Sequence, residues 1–171
     1  MAILICGLNG SGKSTVGAAL AEKLGRPFLD VEDLYFPKDD PSYLYAHARS
    51  GEEVTRLLEV RIEREPRLVF ASVRGDFGPS FLASLEYAVL LEVPRQTRLA
   101  RVRERSYRKF GARMEPGGDL YEKEAAFFDM IAARPEDYAE SWVRTLRCPV
   151  LRIDGARPVG EIVRDLAEKL G

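Results

Sequence analysis

Asparagine and glutamine are almost missing from this sequence: Asn9 and Gln96 stand alone, and there is a single histidine, His47. With its only asparagine at position 9, the chain has no N-K-x-D segment, which excludes a guanine-reading GTPase switch. The shortage of heat-labile amides, with arginine far outnumbering lysine, points to a thermophile or to a GC-rich genome. Two cysteines, Cys6 and Cys148, lie in or beside predicted strands and read as small buried residues, not as a disulfide or metal pair. No apolar run approaches the length of a membrane span. A strand follows Met1 directly, with no secretory signal, so a cytoplasmic protein is expected. Neither sign of charge dominates: 26 basic against 27 acidic residues leave a net charge of −1, which supplies no bulk field toward nucleic acid or an anionic membrane. Neither is expected as a partner.

What is present organises itself around Gly7-Leu8-Asn9-Gly10-Ser11-Gly12-Lys13-Ser14, a G-x-x-x-x-G-K-S phosphate-binding loop. By average residue frequencies the four fixed positions match in roughly one chain in a hundred, so the context must decide. The apolar run Ile3-Leu4-Ile5 precedes the loop as a buried strand, and Val16, Ala19, Leu20 and Leu24 follow at helical spacing, closed by Gly25. Strand, loop and helix are the setting this motif needs. Its glycines let backbone N–H groups turn inward around a polyphosphate, and the helix N-terminus adds partial positive charge. The nucleotide cradle is expected to be Gly7, Leu8, Asn9, Gly10, Ser11, Gly12, Lys13, Ser14 and Thr15, with Lys13 on the β- and γ-phosphates of ATP and the Ser14 hydroxyl on Mg²⁺.

The length of 171 residues suits one domain. Further strands are expected at Pro27–Leu29, Leu68–Ala71, Tyr87–Leu91 and Pro149–Ile153. Between them, helices are expected at about Tyr43–Ser50, Glu52–Arg64, Ser80–Leu85, Pro94–Phe110, Leu120–Ala133, Pro135–Leu146 and Val159–Leu170. Five strands alternating with helices predict an α/β, three-layer fold around a parallel sheet.

Just past the second strand the chain reads Leu29-Asp30-Val31-Glu32-Asp33, seventeen residues after Lys13 counted to Asp30. Together with the phosphate loop and the element order, this segment resembles the P-loop nucleoside and shikimate kinase-like group: adenylate, shikimate and gluconate kinases and their relatives. The resemblance implies a sheet order of 2-3-1-4-5, a lid at about residues 107–120 and an acceptor-binding helical region at about 37–64. It also implies that Asp30 helps hold Mg²⁺ through water and that the next carboxylate contacts the phosphate acceptor. Glu32 stands where the family has Asp and Asp33 follows it directly, so both are candidates. The run from Arg108 to Arg113 and Gly117-Gly118-Asp119-Leu120-Tyr121 matches no signature of those kinases.

The remaining candidates come from the residues themselves. Arg98, Arg101, Arg105 and Arg108 are spaced 3, 4 and 3 apart and form one helical stripe, with Leu99, Val102 and Phe110 away from it on the expected core side. Arg105, Arg108 and Arg113 lie nearest the lid, and at least one is expected on ATP or the transferring phosphoryl group, because a guanidinium keeps its charge when buried. Arg74 and Gly75, after the third strand, are expected to meet the acceptor, and Asp76 is an alternative to Asp30 on the metal side. His47 reads as a surface residue, and Tyr35 and Phe36 as core or substrate-flanking aromatics. The leading expectation is a Mg²⁺- and ATP-dependent kinase for a small hydroxylated metabolite. A nucleoside or nucleoside monophosphate kinase, using arginines such as Arg49, Arg56, Arg61 or Arg64, is the alternative, and an ATP-binding regulator without an acceptor is a third. AAA-type motor ATPases share only the phosphate loop with this reading, and a nucleic-acid repair kinase fits the net charge poorly.

Overall fold

The strand β1, Ala2–Cys6, is apolar throughout and buried throughout, which is what a central parallel strand covered on both faces requires. The computed structural model describes residues 1–171 and places β1 in the middle of a five-stranded sheet with β2 (Phe28–Asp30), β3 (Val69–Ala71), β4 (Leu85–Glu92) and β5 (Val150–Asp154). The order is β2-β3-β1-β4-β5 and every pairing is parallel, as expected.

Because side chains alternate along a strand, β1 feeds two cores. Ala2, Leu4 and Cys6 join Phe70, Leu90, Val54, Leu58, Phe81 and Trp142 on one face. That face is covered by α3 (Gly51–Arg64), α4 (Gly78–Ser84) and α7 (Tyr138–Val143). Ile3 and Ile5 join Val16, Leu20, Val69, Val89, Ile162 and Leu166 on the other, under α1 (Lys13–Leu24) and α8 (Val159–Leu170). The segment 107–120 takes in the last turn of α5 (Arg95–Phe110) and a 3-10 turn at Gly111–Met114, and it ends where α6 (Tyr121–Ala133) begins. None of the helices is long and apolar enough to cross a membrane.

Two local expectations are corrected. The stretch Tyr43–Ser50 is not helical but a run of turns ahead of α3. Tyr43 and Tyr45 both pack on Phe110, and residues two apart cannot share one face of a helix. Ser50 instead caps α3: its hydroxyl accepts from Glu53 N–H while the Glu53 carboxylate accepts from Ser50 N–H. Conversely, Val31–Tyr35 forms a short helix, α2, where only an acidic aromatic segment was expected, and the helix predicted from Pro135 begins only at Tyr138.

Candidate active site

The phosphate loop leaves β1 at Gly7 and enters α1 at Lys13. Its amides at Gly10, Gly12, Lys13 and Ser14 donate to no group of the protein, so the concave side of the loop and the first turn of α1 present unpaired N–H groups together. Gly10 has φ +82°, and a Cβ there would lie 2.2 Å from the Arg98 carbonyl oxygen, so only glycine fits.

The loop is held from outside by arginines. Arg98 is 4% exposed; its Nε donates to Val93 O at 3.0 Å, Nη1 to Asn9 O at 3.3 Å, and Nη2 to both Glu136 carboxylate oxygens at 2.9 and 2.8 Å. Burial pushes the Glu136 carboxyl up, but hydrogen bonds from Arg95 and Arg98 outweigh it and hold it below its usual range. Arg134 Nη1 donates to Asn9 Oδ1 at 2.6 Å. Arg101 reaches Gly10 O and Gly155 O at 3.5 and 3.4 Å. The stripe reading therefore needs correction. Arg98 shares the buried face of α5 with Val102 and Ser106, and its work is on the back of the loop. Nothing in the 3-4-3 spacing separates it from its neighbours, and neither Glu136 nor Arg134 carried a sequence signal.

Lys13 lies folded into the loop, its Nζ 3.4 Å from Leu8 O. Burial lowers its pKa to about 8, against the opposing pull of the Asp30 and Glu32 carboxylates, with Arg105 adding to the depression. These four side chains thus share one electrostatic neighbourhood. Ser14 and Thr15 follow Lys13 in the first turn of α1. Asp30 ends β2 and caps α2, its Oδ1 accepting from Glu32 N–H at 3.0 Å. Glu32 Oε1 lies 3.9 Å from Arg105 Nη2, whereas Asp33 is ion-paired with Lys38, so the two neighbouring acids face different partners.

The other expected arginines are committed elsewhere. Arg108 pairs with Glu104 on the exposed side of α5. Arg113 is forked onto Asp119 at 3.0 and 2.7 Å. Arg74 is ion-paired with Asp76, its Nη2 donating to Oδ1 at 3.0 Å, and stacks 4.4 Å over the Tyr138 ring. Gly75 packs into the core, where a Cβ would lie 2.7 Å from both Phe81 and Trp142. His47 is exposed beside Asp39.

A cleft of about 520 Å³ opens between α2, α3 and the turn after β3. Tyr35, Glu52, Thr55, Arg56, Glu59 and Asp76 line it, one guanidinium against three carboxylates. The turn after β3 also touches the phosphate loop, through Gly7 N–H donating to Val73 O at 3.3 Å. Glu52, Thr55 and Glu59 were not singled out in the sequence, although their i, i+3 and i+7 spacing puts them on one face of α3.

The family model described as AAA domain matches residues 3–126, a likeness wider than the phosphate loop to which the sequence reading confined it. A shikimate kinase of Gloeobacter violaceus is 30% identical over 174 residues, covering 90% of this chain and 94% of that one. An uncharacterized Bacillus subtilis protein, YqaC, is 28% identical over 169 residues, covering 94% and 92%. Among solved structures, shikimate kinase from Aquifex aeolicus superposes with a TM-score of 0.57 at 16% identity, over 99% of this chain and 96% of that chain, which speaks for the fold. A gluconokinase from Sinorhizobium meliloti gives 0.55 at 21%, over 99% and 94%. With the loop, the sheet order and these relatives in hand, the chain belongs to the P-loop kinases of the shikimate and gluconate kinase-like group and is a small-molecule kinase.

Proposed function

We propose that this chain transfers the γ-phosphoryl group of ATP, with Mg²⁺, to a hydroxyl of a small polyhydroxylated metabolite. The observation that carries the reading is the position of Glu32, which lies 3.9 Å from Arg105 and whose charge acts on Lys13, on the short helix whose far end, Tyr35, lines the cleft. Phosphate machinery and acceptor pocket are joined by that one helix.

In this reading the loop amides and Lys13 hold the β- and γ-phosphates, and Arg105 neutralises charge on the transferring group. Glu32 accepts the proton of the attacking hydroxyl or orients it. The acceptor lies in the cleft, where carboxylates outnumber arginines; they favour a ligand rich in hydroxyl donors over a dianionic monophosphate. Mg²⁺ fits the donor set as a nucleotide-borne ion. The structure has no cluster of three acidic, His or Cys side chains able to hold a metal by itself, while the Ser14 hydroxyl and the Asp30 carboxylate are the oxygen donors expected beside phosphates and water. When bound, the ion would neutralise phosphate charge. The reaction is assigned to the cytoplasm, with its ATP.

The test is ADP release from Mg²⁺–ATP across polyols, sugars, hydroxy acids, nucleosides and nucleoside monophosphates. Stimulation by a hydroxylated metabolite supports the reading, selective stimulation by a monophosphate moves it to a nucleotide kinase, and tight ATP binding with a flat panel moves it to a regulator.

A further inference from the structure

The segment Gly117-Gly118-Asp119-Leu120-Tyr121 has no part in phosphoryl transfer as proposed, yet its geometry is tightly specified. Asp119 takes Nε and Nη2 of Arg113 in a fork. Leu120 N–H donates to Arg113 O at 2.9 Å, and a Cβ on Gly118 would lie 2.1 Å from that same carbonyl oxygen. The turn therefore clamps Arg113 in one orientation. Its remaining nitrogen, Nη1, donates to Ser42 O at 2.7 Å, across a gap of 71 residues in sequence.

Two more contacts cross the same gap. The Tyr43 hydroxyl donates to Glu124 Oε1 at 3.1 Å, and Lys109 Nζ donates to the Tyr45 hydroxyl at 2.5 Å. Glu124 is 2% exposed and its second carboxylate oxygen has no partner, so Tyr43 is its one side-chain donor. Between the polar contacts, Phe110 lies 5.5 Å from the Tyr43 ring and 6.3 Å from Tyr45, which in turn meets Phe36 edge-on at 5.0 Å. Phe36 directly follows α2, the helix of Glu32, and Arg105 lies one turn before Lys109 on α5.

We propose that these contacts are a latch that makes residues 36–45 and the segment 107–124 one moving body, so that nucleotide closing the lid also sets the acceptor-side loop and, through Phe36, Glu32. Arg113, Asp119, Tyr43 and Glu124 are positioning residues, and none touches the reacting atoms. The nucleotide-driven part rests on the proposed function. The latch itself rests only on the contacts.

Hydrogen exchange of the full-length chain, read by mass spectrometry, tests both parts. Without nucleotide, Asp119→Asn, a change in the lid, speeds exchange in residues 36–49 by about tenfold as well as in 107–124, since a lost charge-assisted hydrogen bond is of that size. Tyr43→Phe, a milder change, speeds exchange in 107–124 from the other side, and Arg113→Lys, lacking the fork, does not rescue. Exchange that changes only in the mutated segment overturns the latch. With Mg²⁺–AMP-PNP, whose binding calorimetry reports, both segments of the wild type gain protection together, while Asp119→Asn gains it at the phosphate loop and 107–124 alone. Bound nucleotide with residues 36–49 unprotected in the wild type overturns the coupling. Failure of AMP-PNP to bind overturns the proposed function, and the nucleotide-free arm still decides the latch.

Discussion

Replacing Arg98 with methionine keeps most of the apolar stem and deletes the guanidinium that ties α5 to the back of the phosphate loop. Two carbonyl oxygens, Val93 O and Asn9 O, lose their Arg98 donors. A buried acceptor left unsatisfied costs about 1–3 kcal/mol. Glu136 loses two hydrogen bonds as well, but its side chain is 53% exposed and regains water, so the ion pair adds about 1 kcal/mol at most. A cavity of about 160 Å³ adjoins Arg98 and admits water to part of the gap. Two acceptors and the ion pair would reach about 2–7 kcal/mol, but Asn9 is only half-buried and water enters beside Arg98, so the loss falls at the low end, about 2–3 kcal/mol, or about 4–12 °C in Tm for a domain of this size. Urea unfolding should show a lower midpoint with an unchanged slope, and affinity for AMP-PNP should fall because the Asn9 peptide loses its brace. Arg101→Met is the control: its contacts at 3.5 and 3.4 Å are at the limit of hydrogen bonding, and it should cost less than about 1 kcal/mol. A Tm for Arg98→Met within about 1 °C of the wild type, or a loss no larger than that of Arg101→Met, refutes the bracing argument.

Gly10→Ala should lower AMP-PNP affinity by about tenfold or more, because the alanine meets both a left-handed backbone and the Arg98 carbonyl; calorimetry reads it, and wild-type affinity contradicts it. Glu32→Gln should reduce kcat by about 10²–10⁴-fold, while Asp33→Asn, facing Lys38, should change it by less than about threefold. Equal losses in steady-state assays would remove the distinction between the two acids. Burial and the Glu124 carboxylate push the Tyr43 phenol up to about 12 from its ordinary value of 10.0. A folded value above the unfolded one means that this contribution is fully present below pH 10 and is lost between about 10 and about 12. Phenolate absorbance during titration should show one late tyrosine that Tyr43→Phe deletes, and an unchanged titration curve in that variant contradicts the assignment.

The sheet was legible because β1 and the phosphate loop are local signals: a short apolar run, glycines at fixed spacing and an amphipathic helix. The segment at Asp30 was legible for a similar reason, since its carboxylates sit at the carboxyl end of a strand. The separation of Glu32 from Asp33 was not, because it depends on Arg105 and Lys38, which reach them from a distant helix and a neighbouring turn. The bracing role of Arg98 was hidden for the same reason: its partners at Asn9 and Glu136 are 89 and 38 residues away. The turns at Tyr43 and Tyr45 were misread as helix because local propensity carries no trace of Phe110, whose ring both tyrosines need. Pairings across the fold, more than any single element, decide what these side chains do.

The proposed function stands or falls on transfer of a phosphoryl group from the phosphate loop to a hydroxyl held in the cleft that Tyr35 lines. The most direct measurement follows the label from γ-³²P ATP, with Mg²⁺, in the presence of a fractionated pool of small metabolites. Label should move into a stable phosphoester of one hydroxylated compound, and Lys13→Ala should abolish the transfer. Label that remains in ATP, or appears only as inorganic phosphate across every fraction, would contradict it.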